Sequence, residues 1–475
     1  MMLASLLVVL AVATVRERFD DPDMWWHLKT GEVIWNTHRI PTTDLFSFTA
    51  HNHLWVPHEW LSETLIYAAY RWGGYTGLML WLCFFTSAIL IAGYILCSLY
   101  SGNSKTALLG ALTIWLFGTI GFAVRPQMIG YLLLIVELLL LHLGQTRDRR
   151  WFLALPPLFA IWMNCHGSFF FGLALAALFL LSSYFKFHSG LLAATRWDPP
   201  RRRTMIVALL LSAPALFVNP VGVGMILYPI KTMLAPGMGF SPIEEWAPLQ
   251  FTDGRSFAFL GILGCIFLLA MIRREELLWR ELLTLIVGAW LAASHVRMLF
   301  VFGILAAPIL SRLIASSWDG YNARRDHPVV NALLITLALV IALLAFPNHQ
   351  NLDAQVERRS PVKAVEFIRA HNISGPMLNE WLFGGYLMWA APEHPVFIDG
   401  RGDVFWPGVG EEFARWAQLQ SDPNVLLDKY RIGYCLLGRN SQMIAILRLL
   451  PGWKEIYSDN VSVIFVRSAP SSLAN

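Results

Sequence analysis

The chain has 475 residues, 56% of them hydrophobic and only 14% charged, with a formal net charge of +4 at neutral pH. That is more apolar surface than one soluble core can bury, so a bilayer is the expected solvent for most of the chain. The basic residues form no stripe with interleaved aromatics, which argues against a nucleic-acid partner, and the five cysteines show neither a disulfide framework nor zinc spacing.

Apolar runs of helical-span length recur from Met2 to Phe346, whereas residues 347–475 have ordinary globular composition. The predicted spans are Met2–Val15, Thr76–Leu99, Ala107–Val124, Met128–Leu143, Trp151–Met163, Phe169–Phe185, Met205–Val218, Phe257–Ile272, Leu282–Ser294, Leu299–Ile314 and Val329–Phe346, about eleven in all. The first lacks a basic leader and is followed by Arg16, Glu17 and Arg18 with no small-residue cleavage site, so a retained span is expected there rather than a signal peptide. Cations between spans gather on one side: Lys105, Arg147, Arg149, Arg150, Lys186, Arg196, Arg201 to Arg203, Arg273, Arg274, Arg280, Arg324 and Arg325. The positive-inside rule assigns that side to the cytoplasm. The expected protein is therefore a multi-pass inner-membrane protein with a cytoplasmic N-terminus. Residues 16–74, 219–256 and the C-terminal 347–475 are then extracytoplasmic.

The first external segment carries amphipathic stretches, Trp25–Trp35 and Glu59–Tyr70, suited to lie in the interface, with Trp25, Trp26, Trp35, Trp55 and Trp60 as headgroup-depth anchors. The tail alternates helix-like stretches (Val362–Ala370, Glu411–Leu419, Met443–Leu450) with strand-like ones (Val396–Ile398, Tyr434–Leu437, Val461–Val466). The fold class predicted is a mainly α polytopic membrane helix bundle over residues 1–346, followed by a small α/β extracytoplasmic domain over 347–475.

Directly after the first span stands Phe19-Asp20-Asp21-Pro22-Asp23-Met24-Trp25-Trp26-His27-Leu28. Three carboxylates so close together at a membrane boundary repel one another unless a cation or a proton uses them. Helix capping by Asp21 or Asp23 accounts for one of them and leaves two unexplained.

This acidic motif, the long aromatic first loop, the span count and the external tail resemble the GT-C class of membrane glycosyltransferases, which includes protein O-mannosyltransferases and oligosaccharyltransferase catalytic subunits. The run from Asp21 to Leu28 with Thr30-Gly31, then Ile40-Pro41-Thr42-Thr43-Asp44, Phe46-Ser47-Phe48-Thr49 and His58-Glu59-Trp60-Leu61, is similar to a bacterial GT-C-like group. So are Asn379, Gly384-Gly385-Tyr386 and Phe397-Ile398-Asp399-Gly400-Arg401 in the tail.

The resemblance implies transfer of one sugar from a polyprenyl-phosphate donor to an acceptor hydroxyl of a glycan, lipid or protein, with inversion, on the outer face. Phosphate leaves readily, so one carboxylate suffices as general base, in contrast to the paired acids of glycosidases. Asp23 is the first candidate by its position next to the aromatic pair and Asp21 the second, because the chain departs from the commoner Asp-Glu form of the motif. A lipid phosphate also needs cationic or donor partners at external span ends. Arg125, Arg297 and His166 are placed there, against the plainer alternative that each snorkels or caps a helix. Glu59, with His58 beside it, and the Glu244-Glu245 pair are further carboxylates placed to orient the acceptor or to hold a divalent cation such as Mg or Mn, against the plainer reading of a surface acid, which is preferred for Glu244, metal use being variable within the class. Glu137, in mid-span, and the Asp399-Gly400-Arg401 turn, with Asp399 or Asp403 paired to Arg401, are read as structural. A transporter or flippase of lipid-linked saccharide and a non-catalytic envelope-assembly scaffold are the rival readings, although the sequence shows no repeated halves.

Overall fold

The computed structural model describes residues 2–234, 244–318 and 327–468. Backbone in lipid must satisfy its own polar groups, and long apolar runs do so as helices. Each of the eleven predicted runs contains one. In chain order the first half comprises α1 (Met2–Val15), α2 (Met24–Thr37), α3 (Trp60–Ser101), α4 (Ser104–Gly118), α5 (Gln127–Thr146), α6 (Leu155–Cys165) and α7 (Phe169–Ser182). A hairpin of β1 (Phe187–Ser189) and β2 (Leu192–Ala194) precedes α8 (Pro199–Ala215), α9 (Val223–Leu234) and α10 (Gly254–Arg273). Then come β3 (Leu277–Leu278), which pairs in parallel with β2, α11 (Trp279–Ser294), α12 (Leu299–Ile314) and α13 (Pro328–Ala345).

Among the described residues five helices are long and apolar enough to cross a membrane: Trp60–Ser101, Gln127–Thr146, Gly254–Arg273, Val296–Ile314 and Pro328–Ala345. The helices in the other predicted runs, α1, α4, α6, α7, α8 and α11, fall below that length, and α4, α6 and α7 are shorter than the expected spans. Residues 119–126 leave the helix before Val124, and α8 starts six residues before Met205. Arg324 and Arg325, together with residues 235–243 of the segment expected to be external, lie outside the described residues.

The predicted interfacial stretch Glu59–Tyr70 and the predicted span Thr76–Leu99 fall in one element, α3, broken only at Gly74. There φ is +56° and ψ −139°, a conformation closed to side-chain-bearing residues and open to glycine. The kink turns the N-terminal third of α3 across α2. Gly31 lets the two helices touch, because a Cβ on it would stand 2.1 Å from the Glu63 carbonyl oxygen.

After α13 follow α14 (His349–Arg359), α15 (Val362–Ala370), β4 (Met377–Asn379), α16 (Gly384–Ala390), α17 (Gly402–Phe405), α18 (Val409–Ala417), α19 (Pro423–Lys429), β5 (Tyr434–Gly438), α20 (Met443–Leu449), β6 (Trp453–Ser458) and β7 (Ser462–Arg467). The sheet order is β4-β5-β7-β6, with β4 parallel to β5 and the remaining pairs antiparallel. The predicted strand Val396–Ile398 does not join it. Its Val396 instead exchanges backbone hydrogen bonds with the first loop, donating to Phe46 O and accepting from Phe48 N, both at 3.1 Å.

The tail and the bundle share a core. Gln355 on α14 accepts from Phe19 N at 3.0 Å and donates to Arg16 O at 2.9 Å, capping the end of α1. Trp25 packs edge-on against Tyr75 and Tyr386. Trp25 and Trp55 are thus buried in protein rather than anchored in headgroups, because the tail covers the face that the sequence pattern left exposed.

Candidate active site at the acidic motif

Asp23 occupies the N-terminal boundary of α2, yet its side chain makes no capping bond. Capping therefore does not explain the acids. Asp21 bends back to accept from Asp23 N at 2.9 Å, which turns both carboxylates to the same side. The non-helical segment between α4 and α5 brings Arg125 to them. Arg125 Nε donates to Asp21 Oδ1 and Oδ2 at 2.9 and 2.8 Å, and its Nη1 lies 3.1 Å from Asp23 Oδ2 and 3.4 Å from Glu245 Oε2. Asp20, the third acid of the run, points away and pairs with Arg359 at 3.1 Å.

Asp21 is thus held through both oxygens, whereas Asp23 is held through one. Desolvation, opposed by Arg125 and reinforced by Asp21 and Glu245, pushes the Asp23 carboxyl up to about 6. Burial acts to lower Arg125, but the three acids override it and keep its guanidinium firmly charged.

A second layer of polar side chains lies alongside. His27, one turn beyond Asp23 on α2, has Nδ1 3.1 Å from Glu63 Oε1 and 3.9 Å from Glu59 Oε2. His58 Nε2 and His166 Nε2 lie 3.7 and 3.3 Å from Glu59 Oε1. Ser168 N–H donates to His166 Nδ1 at 3.1 Å, so the His166 proton sits on Nε2 and faces Glu59. Burial lowers all three imidazoles, His58 and His166 to about 3, so none carries charge at neutral pH. Burial likewise drives Glu59 up to about 8, against the pull of Arg297. Tyr228 stacks on His58 with centroids 4.2 Å apart and donates to Asp403, whose carboxyl is also raised by burial.

Arg297 precedes α12, lies 4.5 Å over the Trp246 ring and donates through Nη2 to Gln127 Oε1 at 2.8 Å. Among the described residues it forms no salt bridge. Its charge acts on both Glu59 and His166, which places it at the same site. The predicted residues Asp21, Asp23, Arg125 and Glu245 are therefore in direct contact, as are His58, Glu59 and His166, with Arg297 beside them. The side chain of Glu244 lies outside the described part.

No site role was read from the sequence for His27, Glu63, Gln127, Trp246, Tyr228, Gly400 or Asp403, although His27 and Gly400 stand in the motif runs and Asp403 was an expected partner of Arg401. Two of these carried a signal, since His27 follows Asp23, and Glu63 follows Glu59, at the four-residue spacing that shares a helix face. Gly400 had no such spacing. A Cβ on it would stand 2.3 Å from Asp23 Oδ1, so the tail closes directly over the acid. The neighbouring Arg401 is structural, as expected, but its partners are Asp399 and Asp44, at 2.6 and 2.7 Å, and not Asp403. Its guanidinium also lies 4.5 Å over Trp55. Glu137 is fully buried with neither oxygen hydrogen-bonded.

A divalent cation fits poorly at the motif. Its acids already surround a guanidinium, and among the described residues no group of three or more His, Cys, Asp or Glu side chains is arranged to hold a metal ion.

No protein-family model matches the sequence, and no curated protein matches it. Solved structures do. The Archaeoglobus fulgidus oligosaccharyltransferase, tethered to an acceptor peptide containing the NVT sequon, superposes with a TM-score of 0.57 at 14% identity, covering 98% of this chain and 74% of that chain. ArnT from Cupriavidus metallidurans, bound to undecaprenyl phosphate, superposes with a TM-score of 0.51 at 13% identity, covering 98% of both chains. The chain has a GT-C-like fold. A further archaeal oligosaccharyltransferase structure, in complex with an inhibitory peptide and a dolichol-phosphate, matches with a TM-score of 0.52 at 14% identity over 91% of this chain and 69% of that one. With 98% of this chain covered, the match to ArnT takes in most of the C-terminal part as well as the helix bundle.

Proposed function

We propose that the protein is a membrane glycosyltransferase that moves a single sugar from a polyprenyl-phosphate donor to an acceptor hydroxyl at the extracytoplasmic face of the inner membrane, with inversion. The observation that carries this reading is the convergence of Asp21, Asp23 and Glu245 on Arg125, with Arg297 alongside and no acid among the described residues paired to it. The GT-C-like neighbours that hold dolichol-phosphate and undecaprenyl phosphate support the donor class.

In this mechanism Arg297 receives the donor phosphate. Its position over Trp246 and its bond to Gln127 fix the guanidinium plane and leave further N–H groups for phosphate oxygens. Asp23 takes the proton of the acceptor hydroxyl. The oxygen attacks the anomeric carbon opposite the phosphate, the carbon–phosphate-oxygen bond breaks, and the phosphate departs with the bonding electrons. Asp21 acts by positioning Arg125, and Glu59 with His58 and His166 orients the acceptor.

The test is a transfer assay with a panel of polyprenyl-phosphate sugars in proteoliposomes. Arg297→Ala is expected to raise the donor KM by on the order of 10-fold or more, the scale of a charge-assisted contact to phosphate. Movement of lipid-linked saccharide between leaflets with no transfer product would replace this reading with transport.

A further inference from the structure

Three carboxylates, Asp21 and Asp23 on one segment and Glu245 on another, converge on one point of the motif, although as placed they form no ready metal-holding group. Hard cations are held by converging carboxylate oxygens, and such oxygens repel one another when nothing positive lies between them. Here the positive group is part of the chain. Arg125 Nε bonds both oxygens of Asp21, and its Nη1 reaches Asp23 Oδ2 and Glu245 Oε2, at 2.8 to 3.4 Å. The guanidinium is only 15% exposed and sits at the point where the acids converge.

We infer that Arg125 takes the place of a metal ion, so that the acidic motif works without a divalent cation and becomes a cation site only when Arg125 is removed. The inference rests on the reading of this motif as the transfer centre, but its consequences for metal binding do not need turnover. The physical difference is one of mobility and charge. A guanidinium cannot exchange with solvent, carries a single positive charge, and fixes the two aspartates unequally, two bonds to Asp21 and one contact to Asp23. The guanidinium thereby engages only Oδ2 of Asp23, whereas a dication bound at the same point would draw on both acids and hold Asp23 ionised. The groups facing this guanidinium are Asp21, Asp23 and Glu245.

The experiment is Mn2+ binding to the detergent-solubilised full chain, read by electron paramagnetic resonance, for the parent, Asp23→Asn, Arg125→Ala and Arg125→Lys. The parent is expected to bind no Mn2+ that Asp23→Asn abolishes, and chelators are expected to leave its sugar transfer unchanged. Arg125→Ala is expected to gain a Mn2+ site on the order of 10-fold tighter than anything in the parent, lost again when Asp23→Asn is added. Arg125→Lys, which keeps a positive charge, is expected to gain none. A Mn2+ ion bound by the parent and released by Asp23→Asn would overturn the inference, and so would failure of folded Arg125→Ala to bind the ion. If Arg125→Ala does not fold, the parent and Asp23→Asn measurement still decides the first half. A parent that neither binds Mn2+ nor transfers any sugar would sink the proposed function and leave this inference standing.

Discussion

Replacing Asp23 by Asn removes one oxygen charge and leaves the shape of α2 intact, since the Asp23 side chain makes no capping bond. With its carboxyl held at about 6 by burial and by the neighbouring acids, Asp23 is roughly one-tenth ionised at pH 5 and nine-tenths ionised at pH 7. The base form is the active one, so transfer in the parent should climb about tenfold over that interval and level off above it. An ordinary exposed aspartate would already be ionised throughout and would give a flat profile. Asp23→Asn is expected to lower kcat by about 10² to 10⁴ and to abolish the rise. Asp21→Asn should behave differently. It removes one repelling charge and frees Arg125 to pair more fully with Asp23, and both effects lower the Asp23 pKa, so the rise persists but moves to more acid pH. The assay is initial rate against pH under saturating donor, with thermal unfolding as a control for folding. A rise centred near 6 that survives Asp23→Asn, or that disappears only in Asp21→Asn, would refute the assignment of the base.

Glu59→Gln tests the second layer. Because the folded protein holds Glu59 protonated up to about 8, the unfolded chain ionises first as pH rises from about 4.5, and the parent loses stability across that window. The variant lacks this loss, so its apparent melting temperature should pull ahead of the parent's between pH 5 and 8, by up to a few kcal/mol in free energy, and a constant offset would contradict it. Gly400→Ala should reduce kcat by on the order of 100-fold through displacement of Asp23, against about 1–3 kcal/mol of stability, and unchanged activity would show that the tail does not press on the acid. Arg401→Ala strands Asp44 and Asp399 as buried unpaired acids and should destabilise the protein by about 3–5 kcal/mol in thermal or denaturant unfolding.

The sequence alone determined the helical runs and the residues of the acidic motif, because both signals are local. Burial in lipid demands length and apolarity in one stretch, and Asp21, Asp23 and the aromatic pair stand within six residues. It also made Arg125, Arg297 and His166 conspicuous, as polar groups at the ends of apolar runs. What it could not supply was which acid meets which cation. That depends on Arg125 arriving 104 residues after Asp21, and on Glu245 arriving a further 120 on. Local pattern likewise misread the tail. Val396–Ile398 has strand character but hydrogen-bonds to Phe46 and Phe48 instead of the sheet, and Trp25 and Trp55, assigned to the interface, are buried because α16 and the Asp399–Arg401 turn cover them. Periodicity reports that a face is apolar or polar. Which distant segment covers it, and how far that shifts a carboxyl such as Asp23, is decided by tertiary packing, because desolvation and Coulomb interaction depend on distance in space and not on separation along the chain.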